Sequence, residues 1–390
     1  MDKATRHDFQ YCHPRTTMLV HSTDSSAIAL NAVCRWTRRR WLLAMTTLGC
    51  QSRHRSAHAA AEPVEGHFSF PRDHGAHSSA NTEWWYITAW LRDEATRPLG
   101  MQITFFRNRP RVQEDNPSAF APKQLLFAHA ALSDPSAGRL QQDQRAARAG
   151  LGLARAAEET TDVRIDEWSL TLEAQRYRVR IAARAFDFAL DFTAMQPVLL
   201  EGQAGFSRKG PRPGEASYYY SFPHLSATGA IRAAGRTRAV SGRAWLDHEW
   251  SNNYLAKAAS GWDWIGINMD DGSALMAFRI RAKRGGEYWT SATLRTADGE
   301  VRTLSPLAVR FQPLRHWRSP HTGVEYPIGM RVRAGDLVVD LRPLMDDQEL
   351  DSRATTGAIY WEGAVEASTD GRVVGRGYLE LTGYATPLQL

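Results

Sequence analysis

The sequence predicts an all-β protein that contains two β domains. From residue 68 onward, short runs alternate apolar with polar side chains and are rich in aromatic and β-branched residues, as in residues 84–91, 101–106 and 186–192. This pattern is typical of half-buried strands. Turn sequences such as Asp270-Asp271-Gly272 separate the runs. About 330 residues follow the first 60, which is more than one common barrel contains, so we expect a sandwich or barrels in two domains.

One segment departs from the strand pattern. Residues 141–159 are mostly polar and show little apolar periodicity, and we expect them to form a helix on the surface. No glycine-rich phosphate loop follows a predicted strand, which argues against a nucleotide-binding fold.

The first 60 residues favour export. Arg38 and Arg39 precede a short, mildly apolar stretch at 41–49, and small residues follow at 57–60. This order is typical of a bacterial signal peptide, and the arginine pair favours the twin-arginine route. We therefore expect a periplasmic or extracellular protein whose mature chain begins near Ala60. The alternatives are a lipoprotein anchored at Cys50 and a disordered basic tail.

Charge and cysteine are both concentrated in this leader. It contains nine of the 48 Lys and Arg residues and three of the 42 Asp and Glu residues, so it carries the whole formal net charge of +6. The rest of the chain has 39 residues of each sign, and we do not expect it to bind nucleic acid. All three cysteines, Cys12, Cys34 and Cys50, lie in the leader, which excludes a disulfide framework or a thiol nucleophile from the body.

A first polar motif lies at the start of the body. His74 and His77 are followed by Glu83 and then by Trp85. Imidazole and carboxylate groups are standard zinc ligands, but the spacing is not that of a helical zinc motif. We therefore expect no metal and favour a hydrogen-bonded plug at the mouth of a barrel.

A second polar motif occupies residues 245–250. On a strand, Asp247 and Glu249 face one side, while His248 and Trp250 face the other. Ionisable groups between tryptophans are costly to bury unless they are paired or functional. The alternatives are a surface ion cluster and a histidine tied structurally to a carboxylate. The two motifs can form one site only if the opening strand of the first domain lies beside this strand.

With these motifs in place, the body resembles the family that unites AttH-like secreted proteins with bacterial carotenoid 1,2-hydratases (hydroxyneurosporene synthases). The segments that carry the resemblance run from about residue 68 to the C-terminus and are residues 70–77, 82–86, 127–130, 217–221, 245–250, 271–276, 348–350, 360–363 and 377–384. The resemblance implies two lipocalin-like (calycin-type) antiparallel β-barrel domains with a site near their junction. We place the domains at residues 61–250 and 251–390, after the leader at 1–60.

The resemblance also implies residue roles. A His-x-Trp pair that is linked to activity in the hydratases matches His248 and Trp250. A second pair, Tyr-x-Asp, falls nearest to Phe278 and Ile280, which cannot ionise. The likeness is closer to the AttH-like branch, whose members often accompany ABC-type exporters.

These observations lead to three hypotheses about function, of which the first two are the main ones. The first is a hydro-lyase that adds water to a C=C bond of an isoprenoid or other lipid, with no cofactor. Its catalytic residues would be Asp247 or Glu249 as a protonated acid, Trp250 to stabilise a cation, and His248 to position water. The second is a non-catalytic lipid-binding carrier or an accessory of an ABC-type exporter. Ester hydrolysis ranks third. The residues predicted to bind the apolar ligand are His74, His77, Glu83, Trp84, Trp85, Tyr86, Tyr219 and Trp264.

Overall fold

The computed structural model describes residues 68–110, 116–118 and 121–388. In these residues the secondary structure is almost entirely β-strand, and the helical segments are the short 3₁₀ turns Arg72–His74, Pro135–Ala137 and Pro306–Ala308. None of the described helices is long and apolar enough to cross a membrane. The predicted export signal and the candidate lipoprotein cysteine, Cys50, lie outside the described residues. The all-β prediction is confirmed.

The strands form two antiparallel sheets. The first sheet contains β1 (Thr82–Asp93), β2 (Pro98–Asn108), β3 (Leu125–Ser133), β4 (Gln141–Arg148), β5 (Ala154–Ala156), β6 (Asp162–Ile165), β7 (Trp168–Glu173), β8 (Arg176–Ala182), β9 (Phe186–Thr193), β10 (Leu199–Leu200), β11 (Phe206–Arg208), β12 (Ala216–Ala233) and β13 (Arg236–Ser251). The second sheet contains β14 (Ala259–Met269), β15 (Ala274–Ala282), β16 (Glu287–Arg295), β17 (Val301–Leu304), β18 (Val309–Arg318), β19 (Glu325–Ala334), β20 (Leu337–Pro343), β21 (Glu349–Ser352), β22 (Ala358–Thr369) and β23 (Arg372–Leu381).

The strand order explains why each sheet curls into a barrel. The first sheet runs β4-β3-β2-β1-β13-β12-β9-β8-β7-β6-β5, and the second runs β17-β16-β15-β14-β23-β22-β20-β19-β18. In both sheets the two end strands are consecutive in the chain, joined by residues 149–153 in the first sheet and 305–308 in the second. Because such short links cannot span an open sheet of this width, the two edges must approach each other. The predicted pair of lipocalin-like barrels is confirmed.

Each barrel has its own apolar interior, and a third apolar cluster lies between the sheets. Successive residues of a strand point to opposite faces, so one strand can serve both places. In β1, Trp85 and Ile87 belong to the interior of the first barrel, while Tyr86 and Trp90 belong to the cluster between the sheets. Strands β1, β2, β12 and β13 thus meet β14, β15, β22 and β23 of the second sheet.

The expected helix at residues 141–159 is wrong. The segment forms β4 and β5, and β4 pairs with β3 in a continuous register from Leu132 opposite Gln141 to Leu125 opposite Arg148. The hydrogen bonds offered by a neighbouring strand outweigh the local preference of a polar segment. Gly150 and Gly152 have φ values of 92° and 77°, a left-handed conformation that ends β4.

The domain boundary near residue 250 stays a prediction. Strand β13, the last of the first sheet, ends at Ser251, and β14, the first of the second sheet, begins at Ala259. The linker therefore starts next to the 245–250 motif.

Candidate active site

Strand β13 presents two polar faces, as its sequence predicts. His248 and Trp250 point into the first barrel, where Trp250 belongs to the apolar core. Asp247 and Glu249 point between the two sheets and line a cavity there. All four side chains are buried, which excludes the alternative of a surface ion cluster.

The two sequence motifs meet inside the first barrel. Strand β1 pairs with β13 so that Glu83 lies opposite Trp250 and Trp85 lies opposite His248. His77 Nδ1 lies 2.8 Å from Glu83 Oε1, and His248 Nε2 lies 2.9 Å from the same oxygen. The condition for one site, that the opening strand lies beside the 245–250 strand, is therefore met.

Glu83 is the centre of this inner cluster. Arg107 Nε donates a hydrogen bond of 2.6 Å to Glu83 Oε2, and the backbone N–H of His77 also donates to the carboxylate. Burial raises the pKa of Glu83, but the hydrogen bonds from His248 and His77 and the charge of Arg107 act together to hold this pKa below its usual value. Glu83 is therefore an ionised, fully buried carboxylate with several donors.

His248 and His74 are neutral at pH 7. Burial lowers the pKa of His248 to about 4, and burial, with repulsion from His248 once that ring is protonated, lowers the pKa of His74 to about 4. Neutral His248 donates from Nε2 to Glu83, so its Nδ1 accepts from the Tyr220 hydroxyl at 3.0 Å. The His74 Nδ1 lies 2.9 Å from the same hydroxyl.

Aromatic stacking holds the rings in place. His77 lies 3.6 Å from Trp250, measured between ring centroids, with an interplanar angle of 7°. Trp85 stacks on His248 with centroids 4.6 Å apart. These contacts fix the orientation of both imidazoles.

His77, Glu83 and His248 are residues of the types that bind metal ions. Ligand atoms of His77, Glu83 and His248 lie within 4.8 Å of one another. However, the Arg107 guanidinium already neutralises the carboxylate, and His248 uses Nε2 as a donor toward it. A cation between these atoms would face the Arg107 charge, so the donor set fits a hydrogen-bonded tie better than a metal centre.

The outer face of β13 forms part of a cavity between the sheets. The volume open to the centres of water-sized molecules is about 70 Å³, and the gaps between the lining atoms total about 590 Å³ when the solvent-filled mouth is included. Aromatic rings and carboxyl groups dominate its lining, which comprises Thr82, Trp84, Tyr86, Thr104, Phe106, Tyr219, Asp247, Glu249, Tyr254, Trp262, Trp264, Tyr360, Glu362 and Glu380. Of the residues predicted to bind ligand, Trp84, Tyr86, Tyr219 and Trp264 lie here. His74, His77, Glu83 and Trp85 lie in or beside the first barrel instead.

Three donors hold the Asp247 carboxyl group. Tyr219 donates to Oδ2 at 2.7 Å, and Trp245 Nε1 donates to Oδ1 at 2.6 Å. The Ser221 hydroxyl lies 2.6 Å from Oδ1. Although these bonds favour the ionised form, burial outweighs them and raises the pKa of Asp247 to about 7. This carboxyl group can therefore keep its proton near neutral pH.

Glu249 has a cationic partner that the sequence did not reveal. Lys209 Nζ lies 2.8 Å from Glu249 Oε1, and Ser217 donates to the same carboxyl group. Burial raises the pKa of Glu249, and Lys209 opposes this shift. The ammonium group also lies 4.2 Å from the ring centroid of Phe278, one of the two positions nearest to the hydratase Tyr-x-Asp pair.

Two further carboxyl groups face the cavity from the second sheet. Glu362 on β22 lies opposite Glu380 on β23. Burial raises the pKa of both groups, and repulsion from Glu380 raises that of Glu362 further. Trp262 Nε1 donates to Glu380 at 2.9 Å. The cavity can therefore hold protonated carboxyl groups on both of its walls.

The sequence did not predict Lys209, Glu362 or Glu380 as site residues. A single glutamate among apolar residues of a strand was a usable signal for Glu362 and Glu380, because such a side chain shares a face with buried neighbours. Lys209 follows β11 outside any regular element and carried no signal. The catalytic roles of His248 and Trp250 stay predictions, and these side chains lie on the opposite side of β13 from the cavity.

The fold and the cavity define a lipocalin-like two-barrel protein with acidic groups between its barrels. The AttH-like family matches residues 61–384, and the chain belongs to this family. A solved structure of a protein described as AttH from Nitrosomonas europaea is similar, with 51% identity, 83% of this chain and 99% of that chain covered, and a TM-score of 0.78. Kievitone hydratase from Nectria haematococca shares the fold, with 17% identity, 84% and 95% covered, and a TM-score of 0.64. No curated protein gives a significant match.

Proposed function

We propose that this protein is a hydro-lyase that adds water to a C=C bond of an isoprenoid or other lipid bound between the barrels. The observation that carries the proposal is the position of the buried Asp247 carboxyl group, which faces a cavity lined by aromatic rings and whose pKa burial raises to about 7. Hydration of an alkene begins with protonation of carbon, which requires such an acid. One protein of the same fold, kievitone hydratase, is a hydratase by name, which motivates testing hydration first.

The reaction balances without a cofactor. Asp247 transfers its proton to one alkene carbon, and a carbocation forms on the other carbon. Water adds to the cation, and the proton that this water loses returns to the Asp247 carboxylate. The rings of Trp84, Tyr254 and Trp264 line the cavity in which the cation would form, and a desolvated aromatic face stabilises a cation by up to about 2 kcal/mol.

The assay uses water labelled with heavy oxygen. The purified protein is incubated with isoprenoid and other lipid extracts in this water, and the products are analysed by mass spectrometry. Label in a lipid hydroxyl group supports hydration. Lipid that is bound and recovered without label opposes it.

The proposal predicts a specific pH dependence. We expect kcat/KM to fall as the pH rises through about 7, because Asp247 must carry a proton and burial raises its pKa to about 7. The raised pKa of Asp247 also affects the free energy of unfolding. Because this pKa lies above its ordinary value of 3.8, the proton on Asp247 stabilises the folded protein fully below pH 3.8, and this stabilisation is lost as the pH rises through about 7. Rates and unfolding midpoints measured from about pH 5 to 9 check both trends. A rate that increases across this interval contradicts the acid role.

The second candidate is a non-catalytic lipid carrier or an accessory of an ABC-type exporter. Phe278 and Ile280, nearest to the hydratase Tyr-x-Asp pair, belong to the apolar cluster between the sheets and supply no proton. A carrier would retain a copurified lipid in the cavity and release it unchanged.

We also propose that the protein is exported. The support is the Arg38-Arg39 pair before a weakly apolar stretch. Replacing both arginines with lysine is expected to retain the protein in the cytoplasm, as fractionation of cells would show. The matched control replaces Arg53 and Arg55, which lie after the apolar stretch. Unchanged export of the Arg38/Arg39 variant opposes the twin-arginine route.

A further inference from the structure

A second buried acid lies behind Asp247, outside the cavity lining. Glu201 follows strand β10 and is fully buried. Its Oε1 lies 2.8 Å from the Ser221 hydroxyl, and that hydroxyl lies 2.6 Å from Asp247 Oδ1. Two carboxyl groups therefore share one serine oxygen between them.

Counting hydrogens shows what this arrangement requires. A serine hydroxyl has one hydrogen, so it can donate to only one of the two carboxyl oxygens. The other short contact needs a hydrogen from a carboxyl group. If Ser221 donates to Asp247, then Glu201 is protonated and donates to Ser221. If Asp247 donates to Ser221, then Ser221 donates to Glu201.

The two arrangements differ only in the positions of two hydrogens. Moving the Glu201 proton to Ser221 and the Ser221 proton to Asp247 converts one arrangement into the other, with no atom heavier than hydrogen displaced. The hydrogen bond from Tyr219 to Asp247 is compatible with both arrangements. Trp264 Nε1 donates to the Tyr219 oxygen at 3.1 Å, which leaves the Tyr219 hydrogen for Asp247.

We propose that Glu201 is a positioning residue that stores a proton and exchanges it with Asp247 through Ser221. This inference rests on the proposed acid role of Asp247 and extends it. When Asp247 gives its proton to the alkene, Glu201 can supply another through Ser221, and the proton lost by the attacking water restores the pair. No proton needs to come from bulk solvent during the reaction.

The charges around the pair are consistent with a stored proton. Burial is the largest effect on the pKa of Glu201, and the charge of Asp247 acts in the same direction. Together they outweigh the hydrogen bonds from Thr293 and Ser221 and the attraction of Lys209, so the pKa of Glu201 is raised to about 8. Arg295 is a second cation near Glu201. On the cavity side, Glu249 repels the Asp247 charge, and Asp247 in turn raises the pKa of Glu380. Both carboxyl groups thus favour their protonated forms.

The test combines two variants with a readout that needs no substrate. The full-length protein is labelled with ¹³C at aspartate carboxyl groups, and the Asp247 signal is assigned by its loss in Asp247→Asn. In Glu201→Gln the amide can donate permanently to Ser221, so the Ser221 hydrogen stays directed at the Asp247 carboxylate and stabilises its ionised form. We therefore expect the Asp247 titration midpoint to fall by about one pH unit or more, the coupling typical of interacting acids. Ser221→Ala should also change the midpoint, because it removes the bridge.

Two matched controls separate this role from a structural one. Glu349→Gln changes another buried glutamate that hydroxyl groups contact, in the second barrel, and Ser226→Ala changes another serine of β12. Neither control should move the Asp247 midpoint. An unchanged midpoint in both Glu201→Gln and Ser221→Ala, in folded protein, overturns the proton exchange.

The activity measurement distinguishes this inference from the proposed function. With an active lipid, Glu201→Gln should lower kcat about tenfold or more and move the descending limb of the pH profile to lower pH. If the midpoint shifts but no lipid is hydrated by the wild type, the hydratase proposal fails while the shared proton stands. If hydration is found and the pH profile of Glu201→Gln is unchanged, the relay role is wrong.

Discussion

Turnover of the hydrated lipid is expected to fall at least about a hundredfold in Asp247→Asn, which is the usual scale for a positioned acid. Asparagine has nearly the shape of the protonated carboxyl group but cannot transfer a proton to carbon. Because burial already favours the neutral form of Asp247, the substitution should leave the fold intact. The measurement is kcat from heavy-oxygen incorporation, together with the unfolding midpoint.

The control for this substitution is Asp340→Asn. Asp340 lies on β20 and pairs with Arg331 at the surface, so its loss should leave turnover unchanged. A folded Asp247→Asn protein that retains wild-type turnover removes Asp247 as the acid. In that case the next candidates are Glu362 and Glu380 on the opposite wall of the cavity.

The largest effect on stability is expected for Glu83→Gln. The substitution removes the negative charge that faces buried Arg107 and places an amide group among N–H donors from His77 and His248. Removing one partner of a buried ion pair costs about 3–5 kcal/mol of the free energy of unfolding. Denaturant-induced unfolding, followed by tryptophan fluorescence, measures this loss.

Two comparisons make the cause identifiable. Glu300→Gln removes an exposed partner of Arg302 and should change stability little. The double variant Glu83→Gln, Arg107→Met should be more stable than Glu83→Gln alone, because it removes the unpaired buried charge. Equal stability of Glu83→Gln and the wild type would contradict the view that the Glu83 carboxylate stabilises the contact between β1 and β13.

The sequence by itself determined the strand content and the two faces of residues 245–250. Both are local properties, because alternation with a period of two places Asp247 and Glu249 opposite His248 and Trp250 on any strand. The resemblance to the AttH-like family was also readable, since it depends on ordered motifs along the chain. These inferences needed no knowledge of which distant residues meet.

The tertiary structure decided what each face contacts. Glu83 meets His248 because β1 pairs with β13, more than 150 residues away in the chain. Glu362 and Glu380 reach Asp247 only because the second sheet packs against the first. Lys209 and Glu201 lie beside these groups through contacts that no local pattern encodes.

Residues 141–159 show that tertiary contacts can also decide secondary structure. Their polar composition predicted a helix, whereas pairing with β3 made residues 141–148 a strand. A polar segment with weak periodicity has nearly equal local preferences, so the hydrogen bonds and packing offered by a neighbouring strand decide its conformation. Local patterning therefore determined the strands and their faces, and long-range pairing determined the acidic cavity, because burial and charge depend on residues that are distant in sequence.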